Sequence, residues 1–569
     1  MRLSLTHRYN IFSYGVIVFC FFIVLRLFQI QVLNSARYKA QAREQQWSEY
    51  HLSARRGNIY TSDGYPVALS ETTYNLILNR REIDSSVNIF SELSKYIDPA
   101  KLDKKTISEL SSDKRNWINI AQGITWSEKE AFEESEIVNK RKAFSFLPSY
   151  SRYYPEKNML SNVLGFVGKD KLSNDIGYYG IEQYYDGDLR GQPGLLIQER
   201  SASGDPILWG GVDRIDSIDG SDLYLTIDHY VQFLVESKLK AGVEKYGARS
   251  GTVIVIEPST GHVIGMANYP NFDPKDYQNA DSMDVLNRAI STTYEPGSVM
   301  KGITMSAAID LGIVSPSTIY NDNGPKVFSG HKVDNWDGKH HGEETMIEVL
   351  QHSNNLGAAW VGTKIGGKAL MEYFEDFSMG AYTNIDLDGE ETGILYKNFP
   401  LKDIELVNAS FGQGVATTPM QIAVAFSAIA NDGILMKPMV VSKIITNKKE
   451  TIIKPVIGNR PISKKTADIM VDMLTQAVEG GEAKFFVSKK YKIAGKTGTA
   501  QIAVKGGYDK TKTNATFVGF FPTYKNFVML VKLEEPTSPS GYSAETAVPL
   551  WMDIAEKLAG YYGILPDKI

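Results

Sequence analysis

Cysteine is nearly missing from this sequence: one residue, Cys20, among 569. No internal disulfide can form, and no thiolate cage can hold a metal. Histidine does not fill the gap. His331, His340, His341 and His352 fall in one region, but no pair stands at i, i+4 with a glutamate between. No metal and no cofactor is therefore expected. Charge of one sign is lacking too. Sixty-one Lys+Arg against 66 Asp+Glu leave a net charge of −5. There is no basic excess to bind nucleic acid and no acidic tail. Internal repeats and low-complexity linkers are absent. One glycine is missing where it would matter most. "KIAGKTGTAQI" (492–502) contains the Gly-Lys-Thr that ends a nucleotide-binding loop, but that loop needs glycine five positions earlier, where Lys490 stands. Residues 491–502 alternate small and β-branched side chains with no helix start and read as a strand. Residues 514–524 and 526–535 read as two more.

What is present begins with one long hydrophobic run, "IFSYGVIVFCFFIVL" (11–25), continued with interruptions to residue 33. Residues 9–30 suffice to cross a bilayer, leaving 1–8 as a tail that is cytoplasmic when the bulk of the chain lies outside. A cleaved signal peptide is the rival reading, but the run is long and no clean cleavage site follows. The flanking charges, Arg2 and Arg8 before and Arg26, Arg37, Lys39 and Arg43 after, would keep the bulk in the cytoplasm. That rule is weak for large domains, so orientation is left to the chemistry.

Residues 34–57 read as a polar, helix-permissive stalk. A turn at Asp63-Gly64 joins two short strands, and 82–145 reads as an exposed helical insertion. "GYYGIEQYYDGDLRGQPG" (177–194) reads as a structured loop with a short helix. From 222 the texture changes. A strand ends at Asp228, a good N-cap, and Val231, Leu234, Val235, Leu239 and Val243 form one helical stripe. A hairpin turns at 258–261. The order is helix, hairpin, helical middle, then three strands. It describes one large α/β or α+β domain over 222–569, behind a mixed domain over 31–221.

Four Ser-x-x-Lys pairs occur: Ser111/Lys114, Ser237/Lys240, Ser298/Lys301 and Ser329/Lys332. Only Ser298 opens a helix, after Pro296-Gly297. Unpaired N–H groups there favour a developing oxyanion. Lys301, one turn on, can act as a base only if burial or neighbouring cations lower its pKa. Taken alone, Ser298 reads as a helix cap. Ser353-x-Asn355 offers a hydroxyl relay and an amide, and by itself is also a cap signal. Lys496-Thr497-Gly498, with Thr499 after it, offers a cation, two hydroxyls and a strand edge that suits an extended peptide ending in a carboxylate. The ordered triplet Ser-x-x-Lys, Ser-x-Asn, Lys-Thr-Gly belongs to β-lactamases and penicillin-binding proteins.

The chain as a whole resembles a class B penicillin-binding protein, a peptidoglycan D,D-transpeptidase. "RGNIYTSDGYPVA" (56–68), "SRYYPEKNMLSNVLGFVG" (151–168), "GIEQYYDGDLRGQPG" (180–194) and "SFGQGVATTPMQIAVAFSAIANDG" (410–433) look like further family boxes. The last is also a loop leading to a helix capped by Thr418 with Pro419 at its first position. The resemblance implies a penicillin-binding/β-lactamase-like α/β (α+β) transpeptidase domain, a mixed pedestal and one transmembrane helix. It implies that Ser298 attacks the stem peptide and that Lys301 is the base. Ser353 and Asn355 assist proton transfer. Lys496, Thr497 and Thr499 bind the carboxylate and Gly498 belongs to the substrate-binding strand edge, with N–H groups of Ser298 and Thr499 as oxyanion hole. Stem peptides and β-lactams are the expected ligands. A multi-span glycan polymerase is the expected partner, and the bulk of the chain is expected on the cell-wall side of the membrane. "DNWDGKHHGEETMIEVLQHSNN" (334–355) looks like the division type. The alternatives are a catalytically inactive scaffold or a penicillin sensor of the wall-synthesis complex, and a β-lactamase that shares the triplet.

Overall fold

A computed structural model describes residues 5–80, 83, 88–110, 117–135, 143–171, 174–199, 211–504 and 507–568. By packing the chain divides into two units. The smaller comprises 1–55, 72–151 and 191–219. The larger comprises 56–71, 152–190 and 220–569. Two segments from within 31–221, namely 56–71 and 152–190, thus pack with the large body.

In the smaller unit, Tyr9–Leu33 is long and apolar enough to cross a membrane. Helix Ser35–Gln46 follows. The polar stalk is helical only that far. Trp47–Leu52 is a strand, paired antiparallel with Gly194–Glu199, which pairs in turn with Val212–Ile215. The described residues of the expected helical insertion at 82–145 form instead a small packed α/β body. Strand Trp117–Ile124 pairs with residues 74–79. Helices Ile89–Leu93, Lys104–Ser108 and Trp126–Glu133 cover it. Leu76, Leu78, Ile118, Ile120 and Phe132 form its core. Elements this short, two of five residues, are too brief to show a helical period, so the charged surface dominated the sequence pattern.

The larger unit is built on a five-stranded antiparallel sheet. Its order is Val263–Tyr269, Ser250–Ile256, Val528–Glu534, Gly507–Phe520, Ala494–Val504. Alternate residues serve opposite faces. Val253, Val255, Phe517 and Val531 join the cluster holding Trp551 of helix Ala547–Tyr561. Ile254, Ile256, Val518 and Leu530 join the cluster holding Ile303 and Phe426 of helices Met300–Asp310 and Pro419–Ala430. The strand Ser250–Ile256 is buried along its whole length, since both faces are covered.

The segments 56–71 and 152–190 are tied in by charge. Arg56 Nε lies 2.7 Å from Glu182 Oε2 and Arg152 Nε 2.6 Å from Glu182 Oε1, while Arg56 Nη1 meets Asp186 Oδ1 at 2.7 Å. Burial alone would push the Glu182 carboxyl up. The guanidiniums of Arg152 and Arg56 outweigh it and hold that carboxyl below its ordinary value. The Arg-Gly-x-Ile box and the Gly/Tyr-rich box are therefore two sides of one buried ion cluster.

Candidate active site

Gly297–Val299 is a 3-10 turn that feeds the helix Met300–Asp310, so Ser298 sits in the turn ahead of the α-helix rather than at its first residue. Gly297 has φ +58°, and its N–H donates to Gly412 O at 3.0 Å. A Cβ on Gly412 would lie 2.2 Å from Gly297 O. The 410–433 segment therefore supports the Ser298 turn by close backbone contact.

Lys301 lies one turn on and is 1% exposed. Its Nζ donates to Ser353 O at 2.5 Å and to Asn355 Oδ1 at 2.7 Å, and lies 3.2 Å from Ser353 Oγ. No hydrogen bond joins it to Ser298 among the described residues. Burial pushes Lys301 well below its ordinary value, and the charge of Lys496 pushes it further; Glu482 opposes both. A neutral amine has two hydrogens. It can satisfy the two short contacts and keep its lone pair.

Ser353 does not cap a helix. It has φ +52°, and the cap of helix Asn355–Ile365 is Asn354, whose side chain accepts from Gly357 N. This unusual backbone points Ser353 Oγ between two lysine nitrogens, 3.2 Å from Lys301 Nζ and 3.1 Å from Lys496 Nζ. Asn355 is fixed by its N–H to Asn335 Oδ1 at 3.0 Å and its Nδ2 to Asp334 O at 3.0 Å.

Lys496 stands on the strand Ala494–Val504 and is 3% exposed. Its Nζ also reaches Thr497 O and Oγ1, each at 3.2 Å. Burial lowers its pKa, against the pull of Glu482. Gly498 is where the strand passes the Ser298 turn. A Cβ there would meet Pro296 O and Val299 Cγ1 at 2.9 Å, so only glycine allows this approach. Thr499 Oγ1 exchanges hydrogen bonds with Ser543 Oγ and N, both at 3.0 Å. Ser298, Ser353, Asn355, Glu482 and Thr499 all line one cleft of about 1040 Å³.

Of the other Ser-x-x-Lys pairs, only Lys332 reaches the cleft, among the described residues, and it stands on the wall without its serine. Ser237/Lys240 lies within helix His229–Tyr246, and Ser329/Lys332 at a hairpin turn between Lys326–Phe328 and His331–Val333. Ser111 and Lys114 lie outside the described residues.

Two features were not visible in the sequence. Glu482 reaches Thr497 from beyond a helix end, with no motif to mark it. Behind Ser353, Asn354 Nδ2 bonds both Asp322 Oδ2 and Glu344 Oε2. His352 Nδ1 lies 2.6 Å from Glu344 Oε1, and the His341 ring stacks on His352. His341, Glu344 and His352 thus come within 4.8 Å of one another, a grouping that i, i+4 arithmetic misses because a strand-to-helix turn creates it.

Residues 251–556 match the family model for the penicillin binding protein transpeptidase domain, and 51–225 match the penicillin-binding protein dimerisation domain. Stage V sporulation protein D of Bacillus subtilis (strain 168) is 30% identical over 98% of this chain and 85% of its own length. Peptidoglycan D,D-transpeptidase FtsI of Escherichia coli (strain K12) is 26% identical over 96% and 90%. Penicillin Binding Protein 2X from Streptococcus thermophilus shares the fold, with a TM-score of 0.74 at 23% identity over 90% of this chain and 80% of that one. Since the family covers the body that carries the cleft and relatives align almost end to end, this chain belongs to the class B penicillin-binding proteins.

Proposed function

We propose that this cleft cross-links peptidoglycan stem peptides through an ester on Ser298. Ser298 Oγ attacks the penultimate D-Ala carbonyl, and the C–N bond to the terminal D-Ala breaks. Lys301 takes the hydroxyl proton, and Ser353 passes a proton to the departing amine. Backbone N–H groups of Ser298 and Thr499 hold the oxyanion. Lys496, Thr497 and Thr499 hold the terminal carboxylate, and Gly498 lets the strand edge come close. An amine of a second stem then attacks the ester, forms the new amide and frees Ser298. The observation that carries this reading is the Ser353 hydroxyl, shared between Lys301 and Lys496 at 3.2 and 3.1 Å. It gives a proton a path from the base to the carboxylate-binding wall.

A β-lactam takes the same route and stops at the ester. Glu482 and Glu545, the two glutamates on the cleft wall among the described residues, accept from Thr497 and Ser540. Mass spectrometry after incubation with a fluorescent penicillin should place the adduct on the peptide containing Ser298, and the label should persist for minutes or longer. Rapid turnover would point to a β-lactamase, and no label to an inactive scaffold. A penicillin sensor would take the label but fail to join stem peptides in a cross-linking assay.

The bulk of the chain belongs on the wall side, because its substrate lies there, and the Tyr9–Leu33 helix anchors it. The glycan comes from a separate multi-span polymerase that meets this helix and the pedestal. Purified protein given lipid-linked precursor alone should make no glycan; polymer formed without a partner would overturn this division of labour. Protease added to spheroplasts should degrade the 222–569 body, and full protection would overturn the orientation.

A further inference from the structure

Helix Lys464–Gly480 ends at a glycine pair, and Glu482–Phe485 is a 3-10 turn. Gly481 has no space for a side chain: a Cβ would sit 2.3 Å from Ala477 O and 2.5 Å from Gln351 O. The tight turn brings Glu482 back to the strand Ala494–Val504. Thr497 Oγ1 donates to Glu482 Oε2 at 3.1 Å and accepts from Lys496 Nζ at 3.2 Å. Lys496 meets Ser353 Oγ, and Ser353 Oγ meets Lys301. One file of hydrogen bonds therefore runs from a half-buried carboxylate on the cleft wall to the buried amine of Lys301.

We infer that Glu482 is a positioning residue of the acyl-transfer site, holding the Thr497 hydroxyl and, through it, the Lys496 ammonium on the wall that receives the substrate's carboxylate. This rests on the roles proposed above for Lys301 and Lys496. Two buried lysines that share one hydroxyl repel each other, and a carboxylate at the end of the file offsets part of that repulsion. Its effect on chemistry has a definite sign. Burial lowers both lysines, Lys496 lowers Lys301 further, and Glu482 works upward on both. The other charges nearby are engaged elsewhere. Lys484, on the same turn, lies over the Phe485 ring, and Glu479 of the preceding helix pairs with Lys568. Glu545, on the neighbouring turn Ser543–Glu545, accepts from Ser540. Across the cleft Lys332 pairs with Asp334 and Lys339 with Asp337.

Acylation needs Lys301 neutral and Lys496 charged, so its rate should be bell-shaped in pH. Removing the Glu482 charge lowers both lysines and slides the whole bell toward acid. The full-length protein in detergent, its Glu482→Gln and its Glu482→Asp variants would be compared by second-order acylation rate from about pH 5 to about pH 10, spanning the range below an ordinary lysine. Glu482→Gln should be several-fold faster than wild type on the acid limb and several-fold slower on the alkaline limb. Glu482→Asp, which keeps the charge, should return toward the wild-type profile. A Gln profile that overlays wild type, or is scaled equally at every pH, would overturn the inference while leaving the site reading intact. Labelling that survives Ser298→Ala would overturn the reading beneath it.

Discussion

Ser298→Ala should lose β-lactam acylation by roughly six orders of magnitude, the scale seen when a serine nucleophile that works as a unit with its base is removed. Lys301→Met should cost nearly as much, and the double variant little more, because neither group is useful without the other. The structural reason lies in the two short contacts of Lys301 Nζ to Ser353 O and Asn355 Oδ1. They fix the amine beside a desolvated cleft wall, where the neutral form is favoured. A methionine there leaves those two acceptors without a donor, a cost of about 1–3 kcal/mol each. Its thermal midpoint should therefore fall while the fold persists. Rates would be followed with a fluorescent penicillin and checked by intact mass. Label on Ser298→Ala at any comparable rate would remove Ser298 from the site, and normal acylation by Lys301→Met would remove the base.

How far the sequence carried depended on the range of each interaction. Local signals survived well. Asp228 caps its helix by accepting from Val231 N, and the turn at 258–261 joins the strands Ser250–Ile256 and Val263–Tyr269. Thr418 and Gln421 form a capping box with Pro419 at the first position. The three site segments were legible because each carries its own residue types in a fixed short order. What failed was non-local. The body at 82–145 packs its buried residues against Leu76 and Leu78 of a strand lying earlier in the chain, so its own segment looks too polar to fold. Ser353 reads as a cap because a positive φ leaves no mark on a serine's neighbours, while the true cap is Asn354. Glu482 was invisible because its partner Thr497 lies across a helix end and a loop. Charge pairs such as Arg56–Glu182 follow the same rule: each residue stands in a recognisable family box, and nothing local marks their joining.

Lys496→Ala should slow acylation by about two to three orders of magnitude, the loss expected when one well-placed electrostatic group is removed from a reacting site. Two effects add. The substrate's carboxylate loses its cation, and Lys301 loses the neighbour whose charge pushes it toward the neutral form. The second effect has a sign that the first does not. Without Lys496, the Lys301 amine holds its proton more tightly, so the acid limb of the rate profile should move to higher pH. Lys496→Arg keeps the charge and should hold the limb in place. It should cost less, although its fork does not fit the single line of donors that Lys496 sends to Ser353 Oγ and to Thr497 O and Oγ1. The three proteins would be compared by acylation rate against pH with one β-lactam that carries a carboxylate. An alanine variant that is slow at every pH, with its acid limb unmoved, would mean that Lys496 binds the carboxylate and leaves the base alone. A variant as fast as wild type would place the carboxylate wall on another strand.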